Sequence, residues 1–91
     1  MATILQLPAS LDTAAATPLL DAVREQLASA GDLHLDGSGV TELGQACLQV
    51  LLGARSAAAK AGLSFSLAQP SEAMSAMLKV AGCEDLAGET F

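Results

Sequence analysis

A chain of 91 residues makes one domain with a thin core, since folding at this size removes only about 60–70 % of the unfolded chain's surface from water. With 52 % apolar and 15 % charged residues it is not disordered, and its uncharged apolar runs fall far short of the roughly 20 residues that cross a bilayer. Ten acidic residues face four basic ones, for a net charge of −6 and no Lys/Arg cluster, which makes nucleic-acid backbones and anionic lipid surfaces poor partners; neither nucleic-acid binding nor direct membrane insertion is expected.

No linker, repeat or charge block interrupts the chain, so residues 1–91 are expected to form a single domain. The opening Met1-Ala-Thr-Ile-Leu-Gln-Leu-Pro8 has no basic n-region and no cleavage site, so a signal peptide is not expected. Residues 3–7 predict a short strand closed by Pro8. Residues 9–11 predict a second short strand or an extended link. Asp12 and Thr13 offer N-caps to a helix. Its apolar side is Leu19, Leu20, Val23 and Leu27, its polar side Asp21, Arg24, Glu25 and Gln26. Pro18 belongs near its first turn, and Ala30-Gly31 ends it.

Residues 32–36 alternate, with Leu33 and Leu35 on one face and His34 on the other. A strand covered on both sides would not hold His34, so the sheet is expected to be open or thinly covered there. Gly37-Ser-Gly39 predicts a turn with Val40 and Leu43 tucked beneath it. The strongest helix spans about 45–61, its stripe Cys47, Val50, Leu51, Ala54 and Ala58 widened by Leu48 and Leu52. Arg55 and Lys60 project outward, and Gly62 supplies the stop. Residues 63–67 alternate as a further strand. Pro70 and Ser71 open a last helix, with Ser71 its N-cap and Met74, Met77, Leu78 and Ala81 inward, and Gly82 ends it. The acidic tail from about residue 83 is expected to be loose.

The order is thus β-(β)-α-β-α-β-α, containing a right-handed βαβ crossover. It predicts an α/β, two-layer domain: a small mixed sheet of about four strands with helices mainly on one face.

Chemistry is sparse. Cys47 and Cys83 form no CxxC pair and no metal spacing, so reduced thiols in a cytoplasmic protein are expected, with Cys47 a small core side chain. Asp32, His34 and Asp36 share a strand face, but nothing else completes a metal's coordination shell. Asp36-Gly-Ser-Gly39 lacks the lysine of a phosphate loop and the pattern of a nucleophile elbow, and reads as a capped turn in which Ser38 bonds local backbone. No nucleophile–base pair or cofactor motif is present. No catalytic residue, metal or cofactor is expected, and the chain is not read as an enzyme.

The run Leu-His-Leu-Asp-Gly-Ser-Gly-Val-Thr-Glu-Leu-Gly-Gln-Ala-Cys-Leu-Gln-Val-Leu-Leu-Gly-Ala-Arg over 33–55 resembles a STAS domain, the family of bacterial anti-sigma-factor antagonists. Its hallmark is a strand, a D-x-S-x-V turn and a helix ending G-L-x-V-L-L. Asp36, Ser38 and Val40 match the turn, and Val50-Leu-Leu-Gly-Ala54 matches the helix. Leu11-Asp12 and the Ala-Gly before the last strand also fit, so the likeness covers nearly the whole chain. Phosphorylated members carry Asp-Ser-Ser-Gly at the helix start, where a partner kinase phosphorylates the second Ser. This chain has Gly44-Gln45-Ala46-Cys47, so the acceptor position is Ala46, which has no hydroxyl. The resemblance therefore implies that the usual phospho-switch, which adds about −2 charge at the contact surface, is absent.

Leu43-Gly-Gln-Ala-Cys-Leu-Gln-Val-Leu-Leu52 is similar to the small STAS proteins associated with alphaproteobacterial chemotaxis systems. That likeness implies a signalling module bound to the chemotaxis histidine kinase. The family's other roles give the alternatives: an anti-sigma-factor antagonist bound to an anti-sigma kinase, or a STAS regulatory subunit of a lipid-transport ATPase. The partner surface expected is the turn 36–42 and the start of the long helix: Asp36, Ser38, Thr41, Glu42, Gln45, Ala46 and Gln49. Gln45 and Gln49 stand four apart and project together on a helix.

Overall fold

In a computed structural model, which describes residues 4–29 and 32–87, the elements follow one another as β1 (Ile4–Gln6), β2 (Ser10–Leu11), α1 (Ala16–Ser29), β3 (Leu33–Asp36), β4 (Glu42–Leu43), α2 (Gln45–Lys60), β5 (Phe65–Ala68) and α3 (Glu72–Val80). Short 3₁₀ turns precede α1 (Thr13–Ala15) and follow α3 (Glu84–Ala87). The expected α/β architecture is present. Strand direction is more uniform than expected. β1-β3-β5 form one sheet and β2-β4 a second, and every pairing is parallel. The cause is connectivity. Each pair of neighbours is joined through a helix, never by a tight hairpin that would reverse the chain. Pro8 separates β1 from β2, so the N-terminal segment contributes one short strand to each sheet.

Register sorts the side chains into two faces. Leu5, Leu35 and Leu67 stand in one row, and Leu33 and Phe65 in the next. This face is covered by α1 and α2, which pack side by side. α2 contributes Cys47, Leu48, Leu51, Ala54 and Ala58, and α1 contributes Leu19 and Val23. Between them they bury Leu33, Leu35, Leu51 and Ala58 completely. The opposite face carries the row Ile4, His34 and Ser66, with Ile4 65 % exposed. The open side inferred from His34 is thus observed. α3 packs on β4 and on the 84–87 turn instead.

The end of α2 explains one boundary shift. At Gly62 the backbone turns to φ +73°, and the N–H of Leu63 reaches back 2.8 Å to the carbonyl of Ala58. Leu63 thereby closes α2, and the strand expected over 63–67 starts at Phe65. The Ala30-Gly31 stop and Thr3 lie outside the described residues. The loose tail expected from about residue 83 is not found over 84–87. Leu86 is fully buried there, in a turn packed on β5 and α3. The sequence hid this because one leucine among acidic residues has no periodicity. The Arg55–Asp85 ion pair beside it, at 3.2 Å, is exposed and adds little.

Candidate partner-binding surface

Because the strands are parallel, the three loops leaving their C-terminal ends gather at one edge: 7–15, 37–44 and 69–71. In open parallel sheets that edge is where binding groups collect. Of the seven residues singled out in the sequence, Asp36 is the last residue of β3, and the other six lie on the middle connection or the helix that follows it.

Asp36 ends β3, and its Oδ1 accepts the backbone N–H of Ser38 at 2.8 Å. That backbone bond first, and the Ser38 hydroxyl second, hold the Asp36 carboxyl below the usual carboxylate range. The Ser38 side chain, expected to bond local backbone, is exposed, and it is the Ser38 backbone N–H that donates to the carboxylate. Gly37 is tied on both sides, its N–H to Ala68 O at 3.0 Å and its carbonyl to Ser71 N at 3.0 Å and Val40 N at 3.2 Å. Ser71 caps α3, accepting from Met74 N at 3.0 Å, as expected, and it also donates its hydroxyl to the carbonyl of Val40. That second role had no signal in the sequence.

The other half of the loop is stitched to the N-terminal segment. Thr41 donates both its N–H, at 2.7 Å, and its hydroxyl, at 3.0 Å, to Ala9 O. Glu42 Oε1 accepts the Ser10 hydroxyl at 3.0 Å. The N–H of Gly44 reaches Leu11 O at 2.8 Å. Gly44 is the N-cap of α2 and offers no side chain, so it makes no side-chain cap bond to the first N–H groups of this helix. Gln45 and Gln49 are exposed on α2, and Ala46 is half-buried between them and the core. Thus Thr41 to Gln49 form one continuous stretch braced by 9–12, whereas Asp36 and Ser38 are braced by 68–71. The Gly37–Val40 backbone bond joins the two. Ser10 and Ala9, which orient Glu42 and Thr41, were not legible in advance.

Among the described residues, no group of three His, Cys, Asp or Glu side chains lies placed to hold a metal. Asp32 Oδ1 accepts from Ser64 N at 2.9 Å, and His34 Nδ1 stands 2.7 Å from Ser66 Oγ, so neither joins Asp36. No helix among the described residues is long and apolar enough to cross a membrane.

Cys47 is fully buried, with its thiol 3.3 Å from Asp12 O. Burial first, and the Asp12 charge second, push its thiol pKa up. Cys83 is half-buried behind Gly82. Mild alkylation of the native protein, followed by peptide mapping, is expected to label Cys83 first. Faster labelling of Cys47 would show that α2 opens readily.

A family model described as "Mlab, STAS domain" matches residues 1–88. Among solved structures, the chain is similar to a Thermotoga maritima protein described as an anti-sigma factor antagonist. The TM-score is 0.77 at 21 % identity, over 92 % of this chain and 74 % of that one. No curated protein matches the chain.

Proposed function

Since the chain belongs to the STAS domain family, we propose that it is a non-catalytic, cytoplasmic signalling module that binds a partner kinase without being phosphorylated. The chemotaxis histidine kinase is the partner favoured by the Leu43–Leu52 likeness. The observation that carries this reading is Ala46 in the second position of α2, where phosphorylated relatives place serine. The surface around it is polar, with Gln45 and Gln49 uncharged and exposed. Asp36, Ser38, Thr41 and Glu42 complete the patch. They are held by backbone and side-chain bonds, so a partner meets a preorganised surface and little ordering entropy opposes binding. A second reading, binding to an anti-sigma kinase, draws support from the fold shared with the Thermotoga maritima protein.

Two measurements test the proposal. Incubation with the chemotaxis histidine kinase of the same genome and ATP, followed by intact-mass analysis, is expected to show no added phosphate. Stoichiometric phosphoserine or phosphothreonine would sink the idea, with Ser38 and Thr41 the first positions to map. Direct titration against that kinase, an anti-sigma kinase and a lipid-transport ATPase then assigns the partner. Tightest binding to the first supports the proposal, and tightest binding to either of the others replaces it.

A further inference from the structure

The two outer strands of the three-stranded sheet are treated differently. β5 is flanked by the 84–87 turn, with Leu86 buried there. β1 is paired with β3 on one side, and nothing among the described residues pairs with its other edge. Leu7 N–H bonds Asp36 O at 3.0 Å, so alternation along the strand turns the N–H and C=O of Gln6 onto the free edge. β1 carries no charge to discourage pairing, and only its shortness and Pro8 blunt it. Beside this edge, between β1 and α1, runs an open cleft of about 150 Å³ lined by Leu5, Leu7, Pro8, Pro18, Leu19 and Ala22. No charged side chain lines it. An apolar space of this volume holds a benzene-sized group.

We propose that the free edge of β1 and this cleft bind an extended, basic segment of a partner protein. The segment adds a strand beside Ile4–Gln6 and places one aliphatic or aromatic side chain between β1 and α1. The strand edge supplies backbone hydrogen bonds and the cleft supplies side-chain selection, a division of labour that suits an extended peptide and not a helix. Charge points the same way. A chain of net charge −6 attracts a basic segment and repels a second copy of itself. A three-residue edge also buries far less than the roughly 1,000 Å² that a stable dimer needs. The surface is distinct from the start of α2, and the proposal stands or falls independently of the kinase reading.

The test is an NMR titration of the isotope-labelled domain with a capped heptapeptide of alternating leucine and threonine, with lysine at each end. A second peptide replaces leucine by serine. Saturable shift changes confined to residues 4–8 and 15–22, with Kd below about 1 mM, are expected, and the serine peptide is expected to bind at least tenfold more weakly. Gln6→Pro removes the outward N–H at a position where an edge strand tolerates proline. Ala22→Leu fills the cleft with a good helix former. Each is expected to weaken binding about tenfold at an unchanged melting temperature, and Ala22→Leu decides alone if Gln6→Pro does not fold. Absence of saturation, shift changes elsewhere, equal binding of the serine peptide, or folded variants that bind like the parent would each overturn the proposal. So would a concentration-dependent dimer that protects the Gln6 amide, which would make the occupant a second copy.

Discussion

The Gly37→Ala variant is expected to lose about 2 kcal/mol of stability, while Gly39→Ala, two residues away in the same turn, stays within about 0.5 kcal/mol of the parent. A Cβ at position 37 would stand 2.7 Å from Met74 Sδ and 3.2 Å from the Cα of Pro70. The sulfur belongs to a flexible side chain, but Met74 is fully buried and has no open space to retreat into. Pro70 presents backbone, and Gly37 itself is tied to Ala68 and Ser71, so the turn cannot simply swing away. A Cβ on Gly39 meets nothing within 4 Å. In a domain of this size about 2 kcal/mol lowers the melting temperature by roughly 8–16 °C. Thermal melts of the two variants read the contrast directly. Equal melting temperatures would mean that α3 does not press on the turn as described.

These two glycines look alike in the sequence, and that illustrates what a sequence can convey. Periodicity marks which side of each element is apolar, so Leu33, Leu35, Cys47, Leu51 and Leu78 were legible as core. Ser71 was legible as an N-cap because capping is local, three residues from donor to acceptor. Contacts between segments distant in the chain leave no such mark. The Ser71 hydroxyl on Val40 O spans 31 residues, the Ser10–Glu42 bond 32, and the Cys47–Asp12 contact 35. The burial of Leu86 and the close approach of Met74 to Gly37 belong to the same class. In the candidate surface, the residues of 36–49 were legible from the turn and the helix start. Their braces, Ala9, Ser10 and the 68–71 loop, follow only from the parallel topology, which gathers three loops at one edge.

That edge explains why Ala46 is the informative position. α2 begins with a glycine cap, no side-chain cap bond and no acidic residue in its first turn. A glutamate there would meet the positive end of the helix dipole and is a good helix former, so folding is expected to be nearly unaffected. On the outside it would add bulk and charge at the place where phosphorylated relatives add phosphate. It would also stand beside Gln45 and Gln49, within the proposed patch, where a buried contact can carry much of the binding energy. The most direct test is therefore calorimetric titration of the Ala46→Glu variant against the proposed partner, the chemotaxis histidine kinase, run beside a thermal melt. An unchanged melt and binding weakened at least tenfold, about 1.4 kcal/mol, are expected. A fully folded variant that binds with the parent's affinity would place the interface away from the start of α2 and contradict the proposal.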